Sequence, residues 1–168
     1  PRKIVANLPY NIATALLLKC LREFRAYDRL TLMFQLDVAE RLIAKPSTKA
    51  YGRLSVVAQW LCEVKSEFNI SKGAFTPPPK VTSTISTLIP RSSPLSPMNF
   101  ESMEIVTAAA FGQRRKMLRS SLKSLELDLN RIGIDATARA EELSITDFCT
   151  LAQALEYQRK MNNNFMHK

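Results

Sequence analysis

The series Asn7-Leu8-Pro9-Tyr10 directly follows the apolar run at positions 4–6. The carboxamide oxygen of Asn7 and the backbone carbonyl ahead of Pro9 can accept the two N–H bonds of an exocyclic amine on a nucleobase. Such contacts hold the nitrogen where its lone pair can meet an electrophile, and Tyr10 offers the flat base a face for stacking. Pro9 fixes its own φ and restricts Leu8, so the loop is stiff. These four residues together favour methylation of a base amine. The alternative is an ordinary strand-to-helix turn.

A second candidate is the proline-rich series FTPPPK at positions 75–80. An aromatic side chain at the head of a rigid polyproline-like turn provides a fixed stacking surface at low entropic cost. Phe75 and Tyr10 could therefore enclose an extruded base, as base-modifying enzymes require. The alternative is a plain loop whose Phe75 fills the core.

A third candidate is a basic segment with five positive charges and no acid: Arg114, Arg115, Lys116, Arg119 and Lys123. Arg115, Arg119 and Lys123 repeat at every fourth residue, and leucines form the opposite stripe. The pattern predicts a helix over 114–125 whose basic edge follows a phosphate backbone. The alternative is a solvated helix face.

Arg53 stands at the opening of another predicted helix, in the series YGRLSV at positions 51–56. A helix N-terminus carries partial positive charge, so Arg53 and Lys49 could bind phosphate there. A simple junction between a loop and a helix is an equally good interpretation. Gln35 follows the apolar run at 30–34, at a sheet edge where open α/β folds place ligands, but it is not specific by itself.

The chain of 168 residues carries a net charge of +9, from 24 basic and 15 acidic side chains. This surplus favours a polyanionic partner. Nucleic acid is a better partner than a membrane, since no apolar run reaches the length of a membrane span. Many basic proteins bind no polyanion, so charge alone leaves that alternative open.

Three cysteines, Cys20, Cys62 and Cys149, lie far apart in apolar helical patterns. Their odd and scattered number predicts core thiols in a reducing cytoplasm. His167 is the one histidine, so the sequence offers neither a Cys/His cluster for zinc nor a base for Ser-His or Cys-His catalysis. We therefore expect no metal site.

The first ninety residues follow the pattern strand, helix, strand, helix, helix, strand, strand. The spacing of apolar residues predicts strands over 3–6, 30–34, 63–70 and 81–89, and helices over 12–24, 37–44 and 54–62. Together they predict an α/β fold over 1–90, the C-terminal half of an open doubly wound sheet that ends in a hairpin-like pair. The start at Pro1, directly before a strand with a buried pattern, predicts a fragment.

A linker rich in proline and serine is predicted over 91–98. Beyond it only helical patterns occur, which predict an all-helical domain over 99–160 and a tail over 161–168. Ser144, with Asp147 three residues later, predicts the N-cap of a last helix from 145 to about 159.

The order of these motifs resembles that of one family. NLPY after a strand, YGRLSV, FTPPPKV, AFGQRRKMLR and GIDATARAEELS are similar to the motifs of ribosomal RNA adenine N6-dimethyltransferases. The similarity is strongest to the bacterial branch that acts on small-subunit rRNA, and it extends to about residue 158. DNA adenine methylases fit less well, because they commonly carry Pro-Pro-Tyr in place of Leu-Pro-Tyr and lack such a helical tail.

The resemblance implies a Rossmann-like fold that uses S-adenosylmethionine. The implied activity transfers methyl groups to N6 of two adjacent adenines near the 3′ end of small-subunit rRNA, with a role in ribosome assembly. The implied partners are this rRNA and the pre-ribosomal small subunit. We expect a cytoplasmic monomer.

The resemblance also implies roles for individual residues. Asn7 touches S-adenosylmethionine and hydrogen-bonds the target amine. Leu8 and Pro9 carry the carbonyl beside it, and Tyr10 stacks on the adenine. Phe75 forms the second aromatic wall.

The implied RNA-binding residues are the family's basic stretch, Arg114, Arg115 and Lys116, to which we add the neighbouring Arg119 and Lys123 and the more distant Arg53.

The sequence departs from the family in the cofactor-binding half. The family's glycine-rich loop and the acidic residues that hold the ribose precede NLPY, whereas here no G-x-G-x-G occurs among four glycines in all. We therefore expect most of the S-adenosylmethionine site to lie upstream of this chain, and this chain to have little activity by itself. An alternative function is a non-catalytic rRNA-binding module in ribosome assembly.

Overall fold

Four strands form one mixed sheet in the order β1-β2-β4-β3. The computed structural model describes residues 2–166, with side chains described to residue 162. The strands are β1 (Arg2–Asn7), β2 (Tyr27–Gln35), β3 (Cys62–Ile70) and β4 (Ser83–Pro90). β1 and β2 are parallel, whereas β4 is antiparallel to both β2 and β3. The carboxyl ends of β1 and β2 therefore lie beside the start of β4.

In residues 2–166 one α-helix lies between β1 and β2, two lie between β2 and β3, and three follow β4: α1 (Tyr10–Arg22), α2 (Leu36–Ile43), α3 (Arg53–Leu61), α4 (Phe100–Gly112), α5 (Leu118–Ser121) and α6 (Ile145–Met166). This order confirms the predicted α/β class. The antiparallel pair of β3 and β4 confirms the predicted hairpin-like end of the sheet.

The two faces of the sheet differ in their surroundings. Leu30, Leu32 and Phe34 of β2 are buried and belong to one hydrophobic core with Leu17 and Leu21 of α1. These leucines recur at helical spacing, so one stripe of α1 lies on the sheet.

The opposite face is open, and Val5 and Phe68 on it are 82% and 61% exposed. The prediction that the first strand is buried is therefore wrong for this chain. β1 pairs only with β2 and forms an edge of the described sheet.

The helical part after residue 98 shares its core with the sheet and helices before it. Phe111 of α4 contacts Tyr51 at a ring-centroid distance of 6.1 Å and stacks on Phe148 of α6 at 5.3 Å. The buried Tyr51 hydroxyl donates a hydrogen bond to the Leu143 carbonyl at 3.0 Å. The division into two domains stays a prediction, but the buried side chains on both sides of residues 91–98 form one cluster.

The basic segment does not form the predicted helix over 114–125. Residues 113–115 form a turn, α5 has only 4 residues, and a 3-10 turn follows at Lys123–Leu125. The three cations spaced four residues apart therefore do not share one helix edge, and the predicted basic edge is wrong.

The cause is a competing set of backbone hydrogen bonds. The N–H groups of Leu118 and Arg119 donate to the carbonyls of Ala138 at 2.8 Å and Ala136 at 3.0 Å. An N–H group that points to a neighbouring segment does not donate to a carbonyl four residues earlier, so a helix from 114 cannot run through these positions.

The last helix begins where the sequence predicts. The N–H of Asp147 donates to Ser144 Oγ at 3.1 Å, and the N–H of Ser144 donates to Asp147 Oδ2 at 2.8 Å, which is a reciprocal cap. α6 continues to Met166, beyond the predicted end near 159. His167 lies outside the described residues.

Candidate functional site

A cavity of about 200 Å³ opens at the carboxyl end of β1. We call it the NLPY cavity, and its lining is Asn7, Leu8, Pro9, Tyr10, Met33, Phe75, Pro77 and Pro79. One wall is the loop that leaves β1, and the opposite wall is the proline-rich segment that precedes β4. The fold thus brings all five residues predicted to act on the base into one site, although Phe75 is far from the others in the sequence.

Two acceptors at the NLPY cavity are free to bind a ligand. The Pro9 carbonyl accepts the N–H groups of Ile12 and Ala13, both at 3.1 Å, as α1 begins. Within the described part of the chain, no donor reaches the Leu8 carbonyl or the exposed Asn7 carboxamide. Leu8, and not Pro9, therefore carries the available carbonyl. Together with Asn7 Oδ1 it supplies the two acceptors that an exocyclic amine requires.

Tyr10 is the first residue of α1, one position beyond the loop. Its hydroxyl lies 2.5 Å from the Ser83 hydroxyl at the start of β4. The side chain is half-buried, so part of its ring faces the NLPY cavity. The N–H of Leu36 donates to the Thr82 carbonyl at 2.9 Å, which also ties the segment before β4 to the end of β2.

A second, adjoining cavity of about 460 Å³ extends over the open face of the sheet. It shares Asn7, Met33 and Phe75 with the NLPY cavity, and most of its remaining walls are apolar. Sequence reasoning missed Met33, which is buried between β1 and β4 and lies opposite Asn7 in the parallel register. Gln35, which the sequence suggested at this edge, lines neither cavity. The register between the two strands, once known, identifies Met33.

Two of the six predicted RNA-binding residues are engaged within the protein. Arg53 forms an ion pair with Glu104 at 3.3 Å. Arg114 forms an ion pair with Glu141 at 2.9 Å and donates to the carbonyls of Lys49 at 2.9 Å and Tyr51 at 3.2 Å. The guanidinium of Arg114 therefore joins the basic segment to the loop before α3.

The other four predicted RNA-binding residues are exposed: Arg115, Lys116, Arg119 and Lys123. Among residues 2–162, no carboxylate lies within ion-pair distance of any of them. None of them lines the NLPY cavity, and Arg119 and Lys123 line a separate cavity of about 340 Å³ together with Glu126 and Asp128. These four cations are the part of the basic segment that is free to meet an external anion.

Comparison with known sequences identifies the family. Residues 1–157 match the family model described as "Ribosomal RNA adenine dimethylase". The chain belongs to this family. A protein of Paramagnetospirillum magneticum named "Ribosomal RNA small subunit methyltransferase A" is 63% identical over 159 residues, and its namesake in Rhodospirillum rubrum is 55% identical.

The match covers 93% of this chain but 57% and 55% of these two relatives. The chain thus spans little more than half the length of the dimethylase-family proteins it matches.

Solved structures of two methyltransferases share the fold. A dimethyladenosine transferase from Plasmodium falciparum superimposes with a TM-score of 0.80 at 26% identity, covering 95% of this chain and 68% of that one. The 23S rRNA methyltransferase ErmE gives a TM-score of 0.62 at 25% identity, covering 93% of this chain and 66% of that one. The sheet and helices described above are therefore those of the dimethylase family.

The family implies chemistry that depends on S-adenosylmethionine. The apolar walls beside Asn7 in the second cavity suit the methyl group of such a donor, which is carried by the sulfonium between the methionine part and the nucleoside. Ribose hydroxyls need paired acceptors such as a carboxylate, and the described linings of both cavities contain no acidic side chain. The described residues that line these cavities therefore fit the methyl group of the donor and do not fit its nucleoside.

The cysteines lie away from both cavities and are free thiols. Burial raises the pKa of the Cys62 thiol to about 12 and that of Cys149 to about 11, so both are protonated at neutral pH.

No group of three or more His, Cys, Asp or Glu side chains within residues 2–162 could hold a metal ion. None of the described helices combines the length and apolar character that a membrane span needs.

Proposed function

We propose that the protein carrying this chain is a small-subunit rRNA adenine N6,N6-dimethyltransferase, and that this chain supplies the side of the active site that holds the adenine. The observation that supports the proposal most strongly is the NLPY cavity. It unites two unoccupied acceptors, Asn7 Oδ1 and the Leu8 carbonyl, with two aromatic side chains, Tyr10 and Phe75.

The proposed mechanism begins with the adenine amine, which is a poor nucleophile because its lone pair is delocalised into the ring. Asn7 Oδ1 and the Leu8 carbonyl each accept one of its N–H bonds and hold the nitrogen in position. Tyr10 and Phe75 bound the two faces of the extruded base. S-adenosylmethionine, when bound, supplies an electrophilic methyl group.

The reaction needs no general base from this chain. The described lining of the NLPY cavity contains no carboxylate, lysine or histidine that could take a proton. Methylation makes the nitrogen acidic, so its proton can pass to water. After the first transfer one N–H remains for a second methylation, which agrees with a dimethylated product.

The names of the relatives support small-subunit rRNA as the substrate. The target nucleotides, two adjacent adenines near its 3′ end, are inferred from the motif resemblance alone. Arg115, Lys116, Arg119 and Lys123 are proposed to bind rRNA phosphates of the pre-ribosomal small subunit, because they are exposed and free of ion pairs within the described residues. Arg53 and Arg114 contribute less, because both are held by carboxylates.

The test measures methyl transfer by the full-length protein with Asn7→Ala to matched rRNA, which is small-subunit rRNA from the same organism as the protein. Loss of an acceptor used to align the amine lowers kcat by about a hundredfold. Asn11→Ala removes a neighbouring exposed carboxamide that lines neither cavity, and it leaves kcat unchanged. Normal activity of Asn7→Ala overturns the role given to Asn7.

A second candidate function is a non-catalytic rRNA-binding module, which the four free cations favour in a chain without a glycine-rich loop. This function predicts salt-dependent binding of the chain to small-subunit particles that S-adenosylmethionine does not change. Replacing Arg115 and Lys116 with alanine then weakens binding. It also makes the slope of the logarithm of the binding constant against the logarithm of the salt concentration shallower by about 2, because two phosphate contacts are lost. Unchanged binding would mean that the basic segment does not contact rRNA.

A further inference from the structure

We propose that Ser83 is a positioning residue for the acceptor base, acting through the Tyr10 ring. The Tyr10 hydroxyl lies 2.5 Å from Ser83 Oγ, and Ser83 has no exposed surface. Stacking on a base needs only an aromatic ring, which phenylalanine also provides. The hydroxyl of Tyr10 therefore has a purpose beyond the base contact, and its one described partner is Ser83. This inference rests on the proposed function.

The position of Ser83 makes it a rigid anchor. It begins β4, the strand between β2 and β3, and its register partners are Gln35 on one side and Ile70 on the other. Paired strands on both sides hold its backbone in place. The Tyr10 ring is thus held at two points, its Cβ on α1 and its hydroxyl on β4, and it cannot swing out of the NLPY cavity.

The same hydrogen bond joins the two walls of the NLPY cavity. Tyr10 follows the loop of the first wall directly, whereas Ser83 follows the proline-rich segment that carries Phe75. The separation between the two aromatic side chains is therefore coupled to this contact. Loss of either hydroxyl leaves both rings present but allows the distance between them to vary. The base is then misplaced although no group that touches it has been removed.

The experiment is a double-mutant cycle in the full-length protein, with kcat and KM measured on matched rRNA. Tyr10→Phe and Ser83→Ala each lower kcat about tenfold. KM for rRNA changes by less than about twofold, because phosphate contacts elsewhere dominate affinity. The double variant matches the single variants, since either change alone breaks the hydrogen bond. Ser83→Thr keeps a hydroxyl and restores most of kcat.

Ser86→Ala is the matched control. Ser86 lies on the same strand, is fully buried and has an Oγ without a hydrogen-bond partner in the described structure. Its removal leaves kcat unchanged, because no contact is lost. Unaltered kcat in Tyr10→Phe or Ser83→Ala overturns the proposal. So does a further loss of kcat when Ser83→Ala is added to Tyr10→Phe, since that loss would come from packing and not from the shared bond.

Tyr10→Ala separates this proposal from the proposed function. If Tyr10→Ala abolishes methyl transfer while Tyr10→Phe and Ser83→Ala are fully active, stacking is retained and the positioning role of Ser83 is wrong. If Tyr10→Ala is also fully active, the base does not bind at this ring, and both the positioning role and this part of the proposed function are wrong.

Discussion

Arg114 and Arg115 are neighbours in the sequence but differ in their contacts. Arg114 binds Glu141 and two backbone carbonyls, whereas Arg115 is exposed and has no carboxylate partner among the described residues. The sequence assigned the same role to both, because a run of basic residues carries no information on which member folds inward. The structure therefore separates a residue that stabilises the fold from one that is free to bind phosphate.

We expect Arg114→Ala to lower the free energy of unfolding by about 1–2 kcal/mol, because a partly exposed guanidinium with three partners is lost. Arg115→Ala is the matched control and leaves this free energy unchanged within about 0.5 kcal/mol. Urea unfolding of the two variants measures the difference. Equal stability of both variants contradicts the structural role of Arg114.

We also expect an effect of the buried thiols at alkaline pH. Folding raises the pKa of Cys62 from its ordinary value near 9 to about 12, so the folded state holds the proton more tightly. The stabilisation is complete below about pH 9 and is lost as pH rises through the folded pKa, because ionisation then favours the unfolded state. Cys62→Ala therefore makes the unfolding free energy fall less steeply between about pH 9 and 11.

Val57→Ala is the control for this pH dependence. Val57 is fully buried in the same core and does not titrate, so its truncation lowers stability by the same amount at every pH. The proposed effect of Cys62 is wrong if the unfolding free energy of Cys62→Ala falls with pH as steeply as that of the unsubstituted chain.

Sequence spacing predicted the strands and helices of residues 1–90 well. The apolar stripe of α1 and the cap formed by Ser144 and Asp147 are local features, so short-range patterns reveal them. The open face of β1 was not predictable, since the burial of a strand depends on which elements cover it. The NLPY wall was found from its residue types, whereas the bond from Tyr10 to Ser83 spans a separation of 73 residues and leaves no local signal.

The helix predicted for the basic segment is wrong for the same reason, since contacts with a distant segment leave no local signal. Its spacing is helical, but the N–H groups of Leu118 and Arg119 bind carbonyls in the segment that follows Gly133. Gly133 has φ +74°, a left-handed conformation that turns the chain back towards α5. This turn lies outside the basic segment, and helical periodicity does not report it.

We expect Gly133→Ala to destabilise the protein by about 1 kcal/mol, because a Cβ disfavours the left-handed conformation although no atom lies within 4 Å of it. Gly112→Ala is the control, since Gly112 ends α4 and also has open space around it. Alanine there is neutral or stabilising by up to about 1 kcal/mol. Thermal unfolding distinguishes them, and equal midpoints contradict the strain at Gly133.

Glu104 connects the helical part to the α/β part. This residue of α4 pairs with Arg22 at the end of α1 and with Arg53 at the start of α3. Its side chain is only 15% exposed, which is less than that of either arginine. With the shared core, these pairs link α4 to the end of α1 and the start of α3.

We expect Glu104→Gln to lower the unfolding free energy by about 1 kcal/mol at low salt, with a smaller loss at high salt, because both arginines are partly exposed to solvent. Glu101→Gln is the control, since Glu101 is 71% exposed and pairs only with Arg159 in the described structure. Urea unfolding at two salt concentrations measures both. An equal loss for Glu101→Gln contradicts the connection through Glu104.

We propose that this chain forms the adenine-holding side of a small-subunit rRNA adenine dimethyltransferase. Mass spectrometry of rRNA nucleosides tests this role after incubation with S-adenosylmethionine and either the full-length protein or this chain alone. We expect N6,N6-dimethyladenosine in small-subunit rRNA with the full-length protein and none with this chain alone. The proposed role is wrong if another atom is methylated, if methylation is confined to large-subunit rRNA, or if this chain alone is fully active.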